Sequence, residues 1–334
     1  MLCIKAPLKQ AEEIKRELIS IGVYDNERLV AKDKEFIYFP IKKSFPTEHT
    51  IVSKTTGKRE VQSDLKKNLS TKLDKKELDL LKRSMDITGS IAIIEIPSEL
   101  EKKEKLIAQE VLKNNKNIRT VLKKGRHEGV FRTQKLEYLA GEKTKEAVCK
   151  ENHVMLKLDV EKVYFSPRLS HERGRIVDLI KKPEEVLVMF SGCGPYTCAI
   201  AKNTPAKYVT GVEINPGGHN YALQNILINK LNNAGAFLGD VKNIVPKLKK
   251  KYDRIIMPLP KSATDFLDVA LKYAKKKAII HFYDFQKEGE FEKSVEKIKK
   301  ACKAAKRKCK ILAITKCGQS SPREFRICVD FQLD

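Results

Sequence analysis

Residues 186–215 read VLVMFSGCGPYTCAIAKNTPAKYVTGVEIN, and this stretch decides the fold of the chain. A short apolar run leads into a turn that contains Gly192 and Gly194, and a helix-compatible segment follows at 196–201. A second run, rich in β-branched residues, then ends on Glu213. This order predicts a strand, a tight glycine turn, a helix and a second strand, which form the first βαβ unit of a nucleotide-binding sheet.

The composition of this turn favours one kind of ligand. Glycines let backbone N–H groups approach a bulky ligand, and an acid at the end of the next strand can hold two ribose hydroxyls. The third glycine of a dinucleotide site is missing, since Pro195 follows Gly194. The spacing therefore favours S-adenosyl-methionine as the cofactor, with a dinucleotide site or a purely structural turn as the alternatives.

Helices and strands continue to alternate after this unit. Strands are predicted at 236–240, 252–260 and 277–285, and a final hairpin at 309–317 and 326–332. A mostly parallel sheet closed by an antiparallel terminal hairpin is the layout of class I methyltransferases, and a dinucleotide dehydrogenase fits it less well. We therefore expect an α/β fold, with a Rossmann-like, doubly wound sheet at 156–334.

Three segments precede this sheet. Residues 1–42 predict a small α+β module, and 75–155 predict a second α+β unit. Residues 43–74 contain few apolar groups and many Lys, Thr and Ser, which is typical of a linker.

Composition restricts the partners. The 334 residues carry 67 Lys+Arg against 43 Asp+Glu, a net charge of +24. Such a field favours a nucleic acid as partner, and solvated lysine faces are the alternative. No apolar run approaches the roughly 20 residues of a membrane span, so we expect a cytoplasmic protein.

The eight cysteines are scattered without a CxxC pair, and few histidines lie near them. This pattern predicts a reducing compartment and no metal site. We also expect a monomer.

The stretch 121–142 mixes basic and aromatic residues. Lys123, Lys124, Arg126 and Arg132 alternate with Phe131 and Tyr138. Nucleic-acid surfaces use this mixture for phosphate contact and stacking, although a basic surface with nothing bound remains the alternative.

A further helix is predicted to begin near Ser170, with Glu172 in its first turn. The helix dipole favours an ionised carboxylate at that place. As a lone residue, Glu172 is more often a capping acid.

Ligands of doubly wound sheets bind beyond the carboxyl ends of the strands. Four such ends lie at 190–194, 213–215, 240–241 and 257–260. The first loop can receive a methionine portion, Glu213 the ribose, and Asp240 the adenine amino group. The last loop, rich in proline, falls where a methyltransferase holds its acceptor base.

Six motifs together resemble the archaeal and eukaryotic tRNA (guanine-37-N1)-methyltransferases, and the resemblance covers most of the chain. They are KLEYLAGE (135–142), KVYFSPRLSHER (162–173), MFSGCGPY (189–196), MPLP (257–260), IIHFYDF (279–285) and SPREFRICVDF (321–331). The combination is specific, because methyltransferases in general share only the glycine loop.

The resemblance implies methyl transfer from S-adenosyl-methionine to N1 of a guanosine in tRNA. The first module would dock at the outer corner of the tRNA, and the other domains would hold the anticodon stem-loop. Glu172 matches the general base, and Arg132 matches the arginine that stabilises charge on guanine O6. Implied cofactor positions are Arg173, Phe190, Gly192, Gly194, Glu213, Ile214, Asn215, Asp240, Val241 and Pro258. Implied substrate positions are Tyr164, Ser166, Arg168, Pro260, Lys123, Lys124 and Arg126.

Two residues depart from the family pattern. Val188 stands where many members have Asp, and Pro258 stands where many have Asn. The departures suggest the branch that also methylates tricyclic wyosine-type guanosines. A neighbouring family that transfers an aminocarboxypropyl group fits less well, because it generally lacks the small first module. A catalytically inactive tRNA-binding module and a nicotinamide-dependent enzyme are the remaining alternatives.

Overall fold

The computed structural model describes residues 1–58, 65–82, 84–128 and 133–334, without the side chains of residues 9 and 126–128. Two compact units are present, Met1–Asn68 and Leu69–Asp334.

The first unit is a four-stranded sheet with one helix packed on it. Its elements are β1 (Leu2–Pro7), α1 (Ala11–Ser20), β2 (Ala31–Lys32), β3 (Phe36–Pro40) and β4 (Ile51–Ser53). The strand order is β2-β3-β1-β4, and the neighbours are antiparallel. Ile14 and Leu18, one turn apart on α1, pack against Ile4 and Phe39.

Strand β4 corrects the predicted linker at 43–74. Ile51 pairs with Ile4 of β1, and Val52 pairs with Cys3, so this segment completes the first sheet. Because the strand has only three residues, its apolar signal is lost among the surrounding lysines and threonines.

A second four-stranded sheet forms the middle part of the chain. The elements of this stretch of chain are α2 (Leu65–Leu69), α3 (Lys75–Leu80), β5 (Met85–Thr88), β6 (Ile91–Ile94), α4 (Glu104–Asn114), β7 (Thr120–Glu128) and β8 (Thr133–Gly141). The strands follow their chain order, with β6 and β7 parallel and the other pairs antiparallel. The basic stretch at 121–142 is therefore mostly a β-hairpin.

The remaining elements build a two-stranded ribbon and a seven-stranded sheet. They are β9 (Glu146–Glu151), β10 (Val154–Asp159), α5 (Ser170–Asp178), β11 (Glu185–Met189), α6 (Pro195–Asn203), β12 (Tyr208–Glu213), α7 (Pro216–Ile228), β13 (Ala234–Leu238), α8 (Val241–Lys247), β14 (Tyr252–Met257), α9 (Leu267–Tyr273), β15 (Ala274–Lys287), α10 (Glu292–Ala304), β16 (Cys309–Ser321) and β17 (Glu324–Leu333).

The seven-stranded sheet has the order β13-β12-β11-β14-β15-β17-β16. Strands β11 to β15 are parallel, and β17 runs antiparallel to both β15 and β16. The predicted Rossmann-like sheet with an antiparallel terminal hairpin is confirmed. The strand predicted at 236–240 lies at Ala234–Leu238, because Asp240 caps α8 by accepting a hydrogen bond from the Lys242 N–H.

The ribbon of β9 and β10 crosses the boundary predicted between 155 and 156. Asn225 of α7 exchanges two hydrogen bonds with the backbone of Lys157, and Asn229 exchanges two with Met155. These amides satisfy the outer edge of β10 and attach the ribbon to the large sheet. The ribbon is thus attached to the large sheet, within the single compact unit Leu69–Asp334.

Among the described residues, none of the helices is long and apolar enough to cross a membrane.

Candidate active site

The glycine turn lies at the carboxyl end of β11, in the centre of the sheet. Phe190, Gly192 and Gly194 all have left-handed backbones, with φ values of 57°, 56° and 83°. Gly194 caps α6, and Pro195 opens that helix, where its missing N–H has no cost. Phe190 tolerates its strained backbone with its ring packed edge-on against Phe266, 4.8 Å between centroids.

Glu213 connects this turn to the next strand. One carboxylate oxygen accepts the Gly192 N–H at 2.6 Å, and the other accepts the Asn215 N–H at 2.8 Å. Burial raises the pKa of this carboxyl, while these backbone N–H groups act in the opposite direction. Each oxygen retains a lone pair, so the carboxylate can still accept hydrogen bonds from two ribose hydroxyls.

The surroundings of Glu213 fit an adenosine. A Cβ atom on Gly218 would lie 3.2 Å from Glu213 Cγ and 3.4 Å from the Gly192 carbonyl, so α7 approaches the turn closely and a larger residue would crowd Glu213. Ile214 is 44% exposed and offers an apolar surface beside the carboxylate. The Gly239 N–H donates to the Glu213 carbonyl at 2.8 Å, which brings Asp240 to the same edge.

Two of the predicted cofactor residues have other contacts as well. Asn215 accepts the Gly217 N–H with its side-chain oxygen and donates to the Lys162 carbonyl at 2.8 Å. Its amide therefore caps α7 and ties down the segment at Lys162. Asp240 caps α8, and Val241 is buried at the start of that helix.

Arg173 is almost fully buried and paired. Its guanidinium donates to both carboxylate oxygens of Glu151, through Nη2 at 2.6 Å and through Nε, and to the Ser166 carbonyl at 3.0 Å. It also lies 5.1 Å from the ring centroid of Phe165. The structure thus gives Arg173 a role in holding the loop at 164–168.

A cavity of about 250 Å³ opens beside this loop. Four predicted substrate residues line it together: Lys124, Tyr164, Ser166 and Arg168. Sequence reasoning missed other members of its wall, namely Asp86, Gln134, Cys317, Gln319 and Arg326. Arg326 donates to the Tyr164 hydroxyl at 3.1 Å and lies 5.3 Å from the Phe285 ring centroid. Its position inside the SPREFRICVDF motif was the available signal.

The other predicted substrate residues lie elsewhere. Lys123 donates to Glu101 at 3.1 Å and to Glu104 at 2.8 Å, and the bond to Glu104 is the main cause of its raised pKa. In the structure Lys123 therefore pairs with two carboxylates, and its contact with a phosphate stays a prediction. Pro260 is buried outside the lining of the cavity. Arg132 and the side chain of Arg126 fall outside the described residues.

Glu172 lies in the first turn of α5 and is 4% exposed. Its two oxygens accept hydrogen bonds from Arg175 Nε and Nη2, both at 2.7 Å, and one also accepts the Tyr283 hydroxyl at 2.6 Å. The Tyr196 hydroxyl donates to that of Tyr283 at 3.0 Å. Cys317 lines the cavity, and its thiol pKa is raised by burial and by the nearby Glu172 carboxylate, so Glu172 lies close to this part of the cavity wall.

Comparisons with known proteins agree with this geometry. The model of the TRM5/TYW2 methyltransferase domain matches residues 147–312. Models of the TYW2 N-terminal domain and of the tRNA methyltransferase 5 N-terminal domain match 65–144 and 3–48.

Individual relatives match over long stretches. The chain is 36% identical to Trm5b of Pyrococcus abyssi, a tRNA (guanine(37)-N(1))-methyltransferase, over 99% of each protein. It is 35% identical to Taw22 of Nanoarchaeum equitans, a tRNA (guanine(37)-N(1))/4-demethylwyosine(37)-methyltransferase, over 64% of this chain and 88% of that protein. Among solved structures, archaeal Trm5 in complex with tRNALeu gives a TM-score of 0.73 and 30% identity, with each chain fully covered.

Proposed function

This chain belongs to the S-adenosyl-methionine-dependent tRNA (guanine-37-N1)-methyltransferase family, and we propose that it methylates N1 of guanosine 37 beside the anticodon of tRNA. One observation supports the proposal above the others. The carbonyl of Tyr164, on the loop that lines the cavity, lies 3.8 Å from the place where a Cβ atom of Gly192 would be. The same loop therefore contacts the glycine turn and lines the cavity.

The residues at the carboxyl edge of the sheet would hold the cofactor. Glu213 would accept the ribose hydroxyls, backbone N–H groups at Gly192 and Gly194 would face the methionine portion, and Asp240 with Val241 would contact the adenine. Arg173, Phe190, Ile214, Asn215 and Pro258 complete the proposed set. S-adenosyl-methionine supplies a methyl carbon made electrophilic by the attached sulfonium.

The chain's own residues would move one proton. Guanine N1 carries a weakly acidic proton that must leave as the methyl group arrives. Glu172 is proposed to accept it, because it is a buried carboxylate in the first turn of α5, directly after the loop that lines the cavity. Arg132 would stabilise the negative charge that grows on guanine O6.

The nucleic acid partner is tRNA. Lys124, Tyr164, Ser166 and Arg168 would surround a guanine that has left the loop stack, since chemistry on a base requires its extrusion. We propose that the domains at 75–334 hold the anticodon stem-loop and that the first module docks at the outer corner. The enzyme would act as a monomer in the cytoplasm, without a metal ion.

A tricyclic wyosine intermediate at position 37 is the second proposed substrate. Val188 and Pro258 are the residues that favour it, because they remove an acidic and an amide side chain from the family pattern. Val188 is fully buried on β11, opposite Gly211 and Ile256.

Labelled S-adenosyl-methionine, purified protein and an unmodified tRNA transcript with guanosine 37 test the proposal. A matched transcript with adenosine 37 is the control, and the product is identified by mass and retention. Label as N1-methylguanosine only in the first transcript is the expected result. Label in neither transcript, with the cofactor still bound, contradicts it. A transcript with the tricyclic precursor then tests the second substrate.

A further inference from the structure

We propose that a buried row of side chains behind Glu172, formed by Arg175, Asp330 and His281, sets the proton affinity of Glu172. These would be positioning residues, since they act through the carboxylate. The inference rests on the proposed role of Glu172 as the base.

The row runs from α5 across three strands of the sheet. Arg175 donates to both oxygens of Glu172 and, from Nη1, to Asp330 on β17 at 2.6 Å. His281 on β15 lies next, with its Nδ1 2.6 Å from Asp330. The Nε2 atom of His281 is 2.7 Å from Arg254 Nη1 on β14.

Arg254 fixes the direction of these hydrogen bonds. A guanidinium can only donate, so His281 Nε2 must accept from Arg254, and the imidazole proton therefore lies on Nδ1. That Nδ1–H donates to Asp330. Arg254 is itself held by Glu184, with Nε to Oε2 at 2.6 Å and Nη2 to Oε1 at 3.2 Å.

The charges of the row do not balance. Together with Glu172 at one end and the Arg254–Glu184 pair at the other, it contains three carboxylates and two guanidinium groups. Burial lowers the pKa of His281 and so keeps it neutral, although Asp330 acts in the opposite direction. Burial also tends to raise the pKa of Asp330, but the hydrogen bonds from His281 and Arg175 outweigh it and hold that pKa well below normal.

The row therefore carries one excess negative charge. In a poorly solvated place this excess favours uptake of a proton, and the row becomes neutral when Glu172 takes one. Asp330 matters because it shares the charge of Arg175 with Glu172. Without that competition, Arg175 would stabilise the ionised base more strongly and weaken it.

Within the part of the chain that the structure describes, the other groups that face Glu172 are neutral. Burial raises the pKa of each of them: Tyr196 on α6, Tyr283 on β15, Cys317 on β16 and Cys328 on β17. Arg173, next in the chain, is already paired with Glu151. The balance on Glu172 thus depends mainly on Arg175 and on its competitor Asp330.

A metal ion is a weaker explanation of the same cluster. Ligand atoms of His281, Cys328 and Asp330 lie within 4.8 Å of one another. However, Arg175 and Arg254 already bond to that Asp and that His, and two guanidinium groups at this distance oppose a further cation.

The test is the pH dependence of the single-turnover rate with cofactor and tRNA saturating. Asp330→Asn should move the acid limb lower by about one pH unit and reduce the plateau rate roughly 3- to 10-fold, because the base is weaker. Asp284→Asn is the matched control. It changes another buried acid of the sheet, which bonds to Ser294 and Lys297 instead, and should leave the profile unchanged.

His281→Leu should shift the acid limb in the opposite direction. It also serves as the second variant if Asp330→Asn does not fold. Loss of its Nδ1–H leaves Asp330 to draw more on Arg175, so the acid limb should move to higher pH. The inference is overturned if the acid limb does not shift in a variant that folds. It is also overturned if the shift equals that of Asp284→Asn. Glu172→Gln distinguishes failure of this inference from failure of the proposed base. Near-normal turnover of that variant would refute the role of Glu172 as the base, whatever the other variants show.

Discussion

Arg175 and Lys123 are both cations that contact two carboxylates, and their side chains are similarly exposed, at 21% and 18%. Their partners differ. Glu172 and Asp330 are 4% and 6% exposed, whereas Glu101 and Glu104 are 58% and 17% exposed. Water screens the charges around Lys123 but barely reaches those around Arg175. The two sites therefore differ in the burial of their anions and hardly in that of their cations. Only at the buried site can a neighbouring charge strongly affect a carboxylate.

The largest effect is expected from Glu172 itself. Glu172→Gln should lower the single-turnover rate roughly 10²- to 10⁴-fold, because the amide cannot accept the proton. Binding of cofactor and of tRNA should stay nearly normal, which equilibrium titration checks. Near-wild-type turnover would refute the general-base role and reduce the buried site to a structural one.

Stability tests the comparison directly. Arg175→Met should cost about 3–5 kcal/mol in the free energy of unfolding, because it leaves two buried carboxylates without their cation. Lys123→Met should cost about 0–1 kcal/mol, as surface pairs do. Denaturant unfolding of both variants measures the difference. Equal losses would mean that the burial of the anions has no such importance.

Two adjacent lysines sharpen the same point for RNA binding. Lys124→Ala should reduce the slope of log affinity against log salt by about one, since an exposed lysine at the cavity is available to a phosphate. Lys123→Ala should change the slope little, because Glu101 and Glu104 already neutralise that charge. Titrations of tRNA binding at several salt concentrations measure both slopes. Equal slopes would mean that the carboxylate partners of Lys123 make no difference to phosphate contact.

The smallest effect concerns Glu213. Its carboxyl has a raised pKa through burial, so it should begin to take up a proton at a higher pH than an exposed glutamate. S-adenosyl-methionine binding should therefore weaken several-fold as the pH falls towards that pKa, because the protonated acid accepts fewer hydrogen bonds. Calorimetry across this range measures it. Glu213→Gln serves as control and should bind weakly at every pH.

Local patterns predicted the sheet and its carboxyl edge well. The glycine turn at Gly192, the acid Glu213 and the terminal hairpin are each encoded within a few neighbouring residues, so their structure follows from spacing. Strand β4 was missed because three residues give too little periodicity. The two carboxylate partners of Lys123 were not foreseen because they lie 22 and 19 positions earlier in the chain.

The buried row could not be assembled from local patterns. Its members are separated by up to 155 positions, and only the fold brings Arg175 to Asp330. A weaker signal did exist in the sequence. Arg254 precedes the buried Ile255, His281 lies between Ile280 and Phe282, and Asp330 lies between Val329 and Phe331. A charged or polar residue among buried apolar neighbours needs a partner.

The ribbon of β9 and β10 has a consequence for inheritance. Ala147 packs with Ile91 and Leu122 of the middle sheet, whereas Leu156 packs with Cys198 and Ile226 of the large one. A gene that lost either neighbour would leave an apolar face of the ribbon exposed to water, so we expect these two domains to be inherited together.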